Sequence, residues 1–434
     1  MTRIRRWVGI VSALGILLGL VAIGVVVAAW LWLPDDQQLA SDAELELTSA
    51  LGVKVSVGSV NWQLLPRPAV VLADLATDQT PPVSIKKLTL HPNLSALYRR
   101  SLSFDLAELD GAVVPQLSLR ALGRGAKGES LSGPLALATT PLARFEFRDV
   151  TWITRHGMAV VFAGDVDFDE QWRPRGARLS RPDAAAPTNA RLTRLGEQDA
   201  WRVIIQLGGG TATGDVQLKT SDKGKLRLDG KLKLQAVEVA SALDAFHRRS
   251  VVAGKAVGDT TLAASGTSVA DLARSLQTRT TFVMSPASLP RFDLSKAVRT
   301  AGKDHAGQTA LDSVTGTLNT QNTPQGMVAT FKNIVARSGA LSATGDATVA
   351  NRQISAELAV DLVDGVVGIP LTLSGPTHAV VVGVPAGAVA GAVVGTAVLP
   401  GVGTVIGARE GAAIGKLFGA SPAPPASAPR KAKS

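Results

Sequence analysis

Cysteine is absent from the 434-residue chain. That removes thiolate metal sites, cysteine nucleophiles and disulfides at once, and it fits an oxidising compartment with no disulfide framework. Aromatic residues are scarce, at 4% with a single tyrosine. No basic stripe is interleaved with Phe or Tyr, so a base-stacking platform and a nucleic-acid partner are not expected. The five histidines, His91, His156, His247, His305 and His378, lie far apart. They form no HExxH pair, and the chain has neither a P-loop nor a GxSxG turn. Asp165, Asp167 and Asp169 resemble the start of a calcium loop. That loop needs Gly at its sixth position and Glu at its twelfth, where this chain has Glu170 and Gly176, so a wet strand face is expected instead. Ser84-Ile85-Lys86-Lys87 matches SxxK without the SDN or KTG partners that give the motif meaning. The chain is read as non-enzymatic, with no cofactor and no metal. A carboxylate pair assembled from distant strands would escape this reading.

What the sequence does have is one long hydrophobic run. Trp7 to Leu33 is 27 residues with no charged side chain and one hydroxyl, Ser12. At ~1.5 Å per residue such a helix is about 40 Å long, and ~20 residues already cross the hydrocarbon core. Arg3, Arg5 and Arg6 precede it, and Asp35 and Asp36 follow. The positive-inside bias places residues 1–6 in the cytoplasm and the bulk of the chain across the membrane, on a single-pass anchor over 7–33. Trp7 sits at one end and Trp30 and Trp32 at the other, at headgroup level. Gly15 and Gly19 form a GxxxG, which is either a helix-pairing face or ordinary membrane-helix glycine. A cleaved signal peptide is the competing reading, since Val26–Ala28 resembles a cleavage site. Its apolar core would exceed the usual ~7–15 residues. The formal charge of +10 is spread along the chain, which points to anionic membrane surfaces more than to a nucleic-acid groove.

Beyond the anchor, Leu39, Ala43, Leu47 and Leu51 have helical spacing, with Gly52 placed to cap the helix. The period then becomes two. Strands are expected around Val53–Val57, Ala69–Leu72 and Val83–Leu90, with Pro66 and Pro68 marking an edge or bend. Asn93 should cap a short helix to Tyr98. Leu102–Ala107 alternates, and Val113–Leu119 is expected to pair with it. Residues 123–140 read as a linker between an N-terminal β region, 34–122, and a larger β-rich region, 141–382. Strands resume near Leu142 and at Ala159–Phe168, and 181–189 is a second irregular break.

The clearest alternation puts Leu226, Leu228, Leu232 and Leu234 on one face and Lys225, Arg227, Asp229, Lys231 and Lys233 on the other. One long strand is preferred to an Asp-Gly hairpin at Gly230. Short helices are expected at Val239–Phe246, from Ser268 to Leu276 and at Phe292–Val298. Asn351-Arg352 should turn a hairpin between Leu341–Val349 and Ile354–Leu362. Between 383 and 419 glycine recurs every four residues in two runs, Gly383 to Gly395 and, after Pro400, Gly403 to Gly419. That suits a packed helical hairpin at a membrane, a kinked second span or a low-complexity tail. Residues 420–434 are Pro/Ala-rich and read as disordered.

With these residues in view, the chain resembles the AsmA family of bacterial envelope proteins. An anchor and short helix precede Gly52–Leu75, in which Gly52, Lys54, Val55, Pro66, Arg67, Pro68 and Asp74 occupy the motif positions, with Val53 inserted. Gly266–Leu272, Phe292–Leu294 and Val398–Gly419 resemble later parts of the family, and residues 120–220 match poorly. The resemblance implies an inner-membrane protein whose periplasmic part builds a long curved β-groove, apolar inside, that carries phospholipid toward the outer membrane.

The expected fold is therefore mainly β with short helices, an elongated curved antiparallel sheet or groove. About twenty strands at ~4.8 Å each would span about 95 Å. Leu226, Leu228, Leu232 and Leu234 are the lipid-contact candidates. Expected partners are membrane lipid, including transported phospholipid, and other envelope-assembly proteins. The alternative is a scaffold with its apolar face sealed internally.

Overall fold

A computed structural model of the protein describes residues 36–63, 65–99, 101–120, 136–170, 173–221, 224–300, 303–323, 325–339, 341–361, 369–377 and 379–384. The expected anchor (7–33), nearly all of the glycine-repeat segment (383–419) and the tail (420–434) lie outside them. So do Arg3, Arg5, Arg6, Trp7, Gly15, Gly19, Trp30 and Trp32. No helix among the described residues is long and apolar enough to cross a membrane. Strands make up 65% of the structure and helices 10%, which makes the fold mainly β. The chain forms two compact units, one of residues up to Leu232 with 245–247 and 263–276, the other of 233–244, 248–262 and 277 onward.

The first unit begins with α1 (Asp36–Leu51), β1 (Val55–Gln63), β2 (Ala69–Thr77), β3 (Ser84–Pro92), α2 (Leu94–Tyr98) and β4 (Ser101–Pro115). It continues through β5 (Ala136–Ile153), β6 (Ala159–Phe168), β7 (Pro174–Ser180), β8 (Asn189–Arg194), β9 (Ala200–Leu207) and β10 (Gly210–Thr220). Ala43, Leu47 and Leu51 fall on one face of α1 and are buried against β1–β4. The helix stops at Gly52, whose φ of +70° favours glycine and whose N–H bonds the Thr48 carbonyl at 2.9 Å. Glu44 and Thr48 of α1 accept the Val57 and Val55 N–H groups at 2.8 and 3.1 Å, so helix side chains cover part of the β1 edge. Asn93 caps α2 by accepting the Ala96 N–H at 2.9 Å. The core here includes Val60, Leu72, Leu88, Leu90, Phe104 and Leu142.

Three expectations change. Leu102–Ala107 and Val113–Val114 belong to one strand, β4, rather than to two strands that pair, and Ser118–Arg120 is a 3-10 turn. β4 also runs parallel to β5, from Ser101 opposite Ala136 to Pro115 opposite Ile153, while every other pair described in this unit is antiparallel. A parallel neighbour needs a crossover of a dozen or more residues, and the chain between the two strands is long enough. β5 begins at Ala136, within the expected 123–140 linker, whose residues 123–135 lie outside the description.

β11 (Leu226–Glu238) is one long strand, as its alternation requires. After α3 (Val239–Asp244) come β12 (Ala253–Gly266), α4 (Val269–Ser275), β13 (Gln277–Leu289), α5 (Leu294–Arg299) and β14 (Thr309–Leu311). The chain then adds β15 (Ser313–Thr323), β16 (Gly326–Ser338), β17 (Leu341–Ala350), β18 (Gln353–Asp361), β19 (Ile369–Pro376) and β20 (Val381–Gly383). β13 pairs with β15, and β15–β20 pair antiparallel in chain order. Asn351 and Arg352 turn the β17–β18 hairpin with φ of +50° and +65°. Leu294 of α5 is buried with Leu341, Ala343, Val360 and Leu371.

Candidate functional site

Strands with period-two alternation present one set of side chains to each face, and the pairing register shows which residues share it. In the first unit one row runs Phe145, Val166, Ala177, Leu192, Val203 and Gly214 from β5 to β10. The next row runs Phe147, Gly164, Leu179, Ala190, Ile205 and Ala212. Trp152 and Val160 extend the same face. Neither row carries a charge. Phe145 and Phe147 stack at 5.6 Å between ring centroids. Gly164 makes room for them, since a Cβ there would lie 2.7 Å from the Phe147 ring.

This face is only partly covered. Val160, Phe168 and Trp201 are buried, but Phe145, Phe147, Phe162, Val166, Leu192, Val203 and Ile205 are partly exposed. Leu179 is 41% exposed. The face is continuous with the sealed core, because Phe145, Val150 and Val166 pack against it.

The opposite face is polar. Its rows run Glu146, Asp165, Arg178, Arg191, Ile204, Thr213 and Arg144, Asp167, Gly176, Thr193, Arg202, Asp215. Arg144 bonds Glu146 at 2.8 Å and Asp167 at 2.9 Å, and lies 3.7 Å from Asp165. The Glu146 hydrogen bond, with the two aspartates, holds its pKa above the usual arginine value. Asp165 and Asp167 are thus arginine partners.

Asp169 belongs to a different cluster. It joins Arg173 at 2.8 Å and Arg194 at 2.7 Å, and Asp199 meets the same two arginines at 3.1 and 2.9 Å. Arg194 also lies over the Trp201 ring at 5.8 Å. Arg181 makes a second buried arginine contact, between the Phe162 and Phe246 rings at 5.5 and 5.3 Å, with Asp183 as its ion partner. These networks tie together the ends of strands. Among the described residues no group of three or more His, Asp or Glu side chains could hold a metal. Ser84 and Lys87 lie three apart on β3 and so point to opposite faces.

The predicted leucines are divided. Leu226 is 5% exposed and packs with Ala264 and Leu272, with Leu218, Leu228 and Leu276 beside them. α4 therefore covers this end of β11. It is capped by Ser268, which accepts the Asp271 N–H at 3.1 Å. The Thr267 hydroxyl, working against burial, lowers the Asp271 pKa. Leu232 and Leu234 stay on the same strand face and are partly exposed. Of the four candidates, Leu226 is thus a core residue, Leu228 packs beside it, and Leu232 and Leu234 are partly exposed.

The motif residues near the N-terminus serve the backbone. Gly52 caps α1, and Pro66, Arg67 and Pro68 lie in the β1–β2 connection. Asp74 is exposed with φ +54°, and a Cβ on Gly58 would come within 2.9 Å of its Cβ.

In the second unit the shared face carries Phe282, Met284, Val314, Leu318, Phe331, Ala343, Ala347, Ala356 and Leu371. Met284, Val314, Ala343 and Leu371 are buried, while Leu318, Phe331 and Ala347 are partly exposed. Hydroxyl pairs interrupt it, Thr278 with Thr320 at 2.7 Å and Thr260 with Thr280 at 2.8 Å.

The β5–β10 face was missed from sequence, although Arg144-Phe145-Glu146-Phe147-Arg148 alternates as cleanly as β11. Comparison with protein-family models, curated proteins and solved structures finds no match to this chain.

Proposed function

We propose that the protein binds phospholipid acyl chains on the partly covered apolar strand face of its first unit. In this reading it acts as an inner-membrane-anchored periplasmic component that carries lipid in outer-membrane assembly. The observation that supports it is the β5–β10 face, two charge-free rows across six strands that stay partly exposed. A soluble protein seldom leaves large contiguous apolar patches open without a use for them. Acyl chains suit such a face because it offers width and no directed polar groups, with ~0.8 kcal/mol gained per buried CH₂. The long uncharged run at 7–33 and the resemblance to the AsmA family support the location. No catalytic residue enters this reading.

The test is site-specific photocrosslinking in the full chain, extracted in mild detergent with its co-purifying lipid. A photoreactive residue at Leu192 or Ile205 should capture phospholipid, and one at Gln198, exposed in the β8–β9 connection, should not. Equal capture at the strand face and in the connection, or none at either, would sink the proposal. A scaffold with a closed core is favoured only by the fully sealed α1–β4 part, so capture of protein at Leu192 in place of lipid would move the reading there.

A further inference from the structure

The polar face of β7–β11 in the first unit has more positive charge than its own carboxylates can neutralise. β11 continues this face beyond β10, since Gly214 lies against the Lys231 and Leu232 backbone and Leu218 packs with Leu228 on the apolar side. Arg178, Arg191, Arg202, Lys219, Arg227 and Lys231 share the polar face with only Asp215 and Asp229. Arg202 pairs with Asp215 and Arg227 with Asp229.

The other four cations have no ion pair among the described residues. Arg178 and Arg191 are, moreover, directly opposite each other in the register. Like charges at opposed positions destabilise a strand pair. Asp165 is the neighbour of Arg178 across β6, but its carboxylate lies with Arg144. Beyond Arg191 comes Ile204, 38% exposed and unable to help. The fold thus keeps a repulsive arrangement that an outside anion would relieve.

We infer that this face docks on an anionic bilayer surface. The cations are spread over five neighbouring strands at ~4.8 Å spacing, a plane rather than a pocket. No aromatic residue stands among them to stack a base. A plane of separated cations matches a field of phosphate headgroups, where each Lys or Arg adds to the attraction. The inference concerns the face opposite to the proposed acyl-chain surface and does not depend on it.

The chain has no cysteine, so Thr193→Cys places a single fluorophore on this face, opposite Arg202. The labelled full chain, held in phosphatidylcholine nanodiscs, is titrated with vesicles of phosphatidylcholine alone or mixed with phosphatidylglycerol. Phosphatidylglycerol vesicles should shift the emission, and ~1 M salt, where the Debye length is ~3 Å, should abolish the response. Arg178→Glu with Arg191→Glu should weaken binding at least about tenfold. An unchanged circular dichroism spectrum and melting curve would show that this variant is folded. Arg178→Gln with Arg191→Gln, which adds no acid, should lose less. Equal response to both vesicle types, or no effect of the charge reversal, would overturn the inference. A response to poly-glutamate with inert vesicles would overturn it too, in favour of an acidic protein partner.

Discussion

Replacing Leu192 and Leu72 by alanine in parallel separates an open apolar face from a sealed one. Leu72 is 0% exposed in the α1–β4 core. Its truncation leaves a cavity and should cost about 2–5 kcal/mol. Leu192 is chemically the same but partly exposed. With lipid removed, part of its side chain already meets water and no sealed cavity is left, so truncation should cost less than Leu72→Ala, below about 1.5 kcal/mol. The described tryptophans, Trp62, Trp152 and Trp201, all lie in the first unit and none follows Lys233, so the fluorescence change on unfolding reports the first unit. With a urea slope of about 2–3 kcal/mol/M, Leu72→Ala should lower the midpoint by about 1–2 M and Leu192→Ala by less than about 0.7 M. Lipid affinity should behave in reverse. Losing contact with about two methylenes at Leu192 costs about 1.6 kcal/mol, roughly fifteenfold in retention, while Leu72→Ala leaves it unchanged. Should Leu192→Ala lower the midpoint of the lipid-free protein as far as Leu72→Ala does, the face is covered and the reasoning fails.

Other perturbations follow from the polar contacts. Burial opposes the charge on Glu238, but the N–H groups of Ser241, Gly254 and Ala240 outweigh it and lower its pKa. A depressed carboxyl stabilises the fold above its unfolded pKa and loses that contribution as pH falls through the folded value. Melting of the second unit should therefore weaken below about pH 4, with a flatter profile in Glu238→Gln. Arg194→Met leaves Asp169 and Asp199 short of a partner whose side chain is 7% exposed. It should cost about 3–5 kcal/mol in denaturant titration, whereas Arg202→Met breaks an exposed pair and should cost at most about 1 kcal/mol. Arg352 holds φ of +65° in the β17–β18 turn. Arg352→Gly should therefore raise second-unit stability by about 0.5–1 kcal/mol, read by calorimetry.

Much of the local structure was legible because local rules produce it. The Leu226–Leu234 alternation, the Gly52 stop after α1, the Asn93 and Ser268 caps and the Asn351-Arg352 turn each depend on residues within a few positions of one another. The parallel β4–β5 pairing depends on chain that returns from twenty residues away, and alternation reads the same in parallel and antiparallel strands. The Asp169–Arg173–Arg194–Asp199 cluster was invisible for a similar reason, because two turns bring its members together and no spacing rule links them.

The sequence by itself determined which residues could share a strand face, since a period of two sorts Phe145 from Glu146 and Leu232 from Lys231 wherever the strand lies. Only the tertiary structure decided which of those faces is covered. Leu226 and Leu232 are equivalent in the pattern, yet Leu226 is buried beside Leu272 of α4 while Leu232 stays partly exposed, because cover comes from elements whose arrival depends on long-range pairing. The same holds for charge. Arg178 and Arg202 look alike in the chain, and the register sets one opposite another arginine and the other opposite an aspartate.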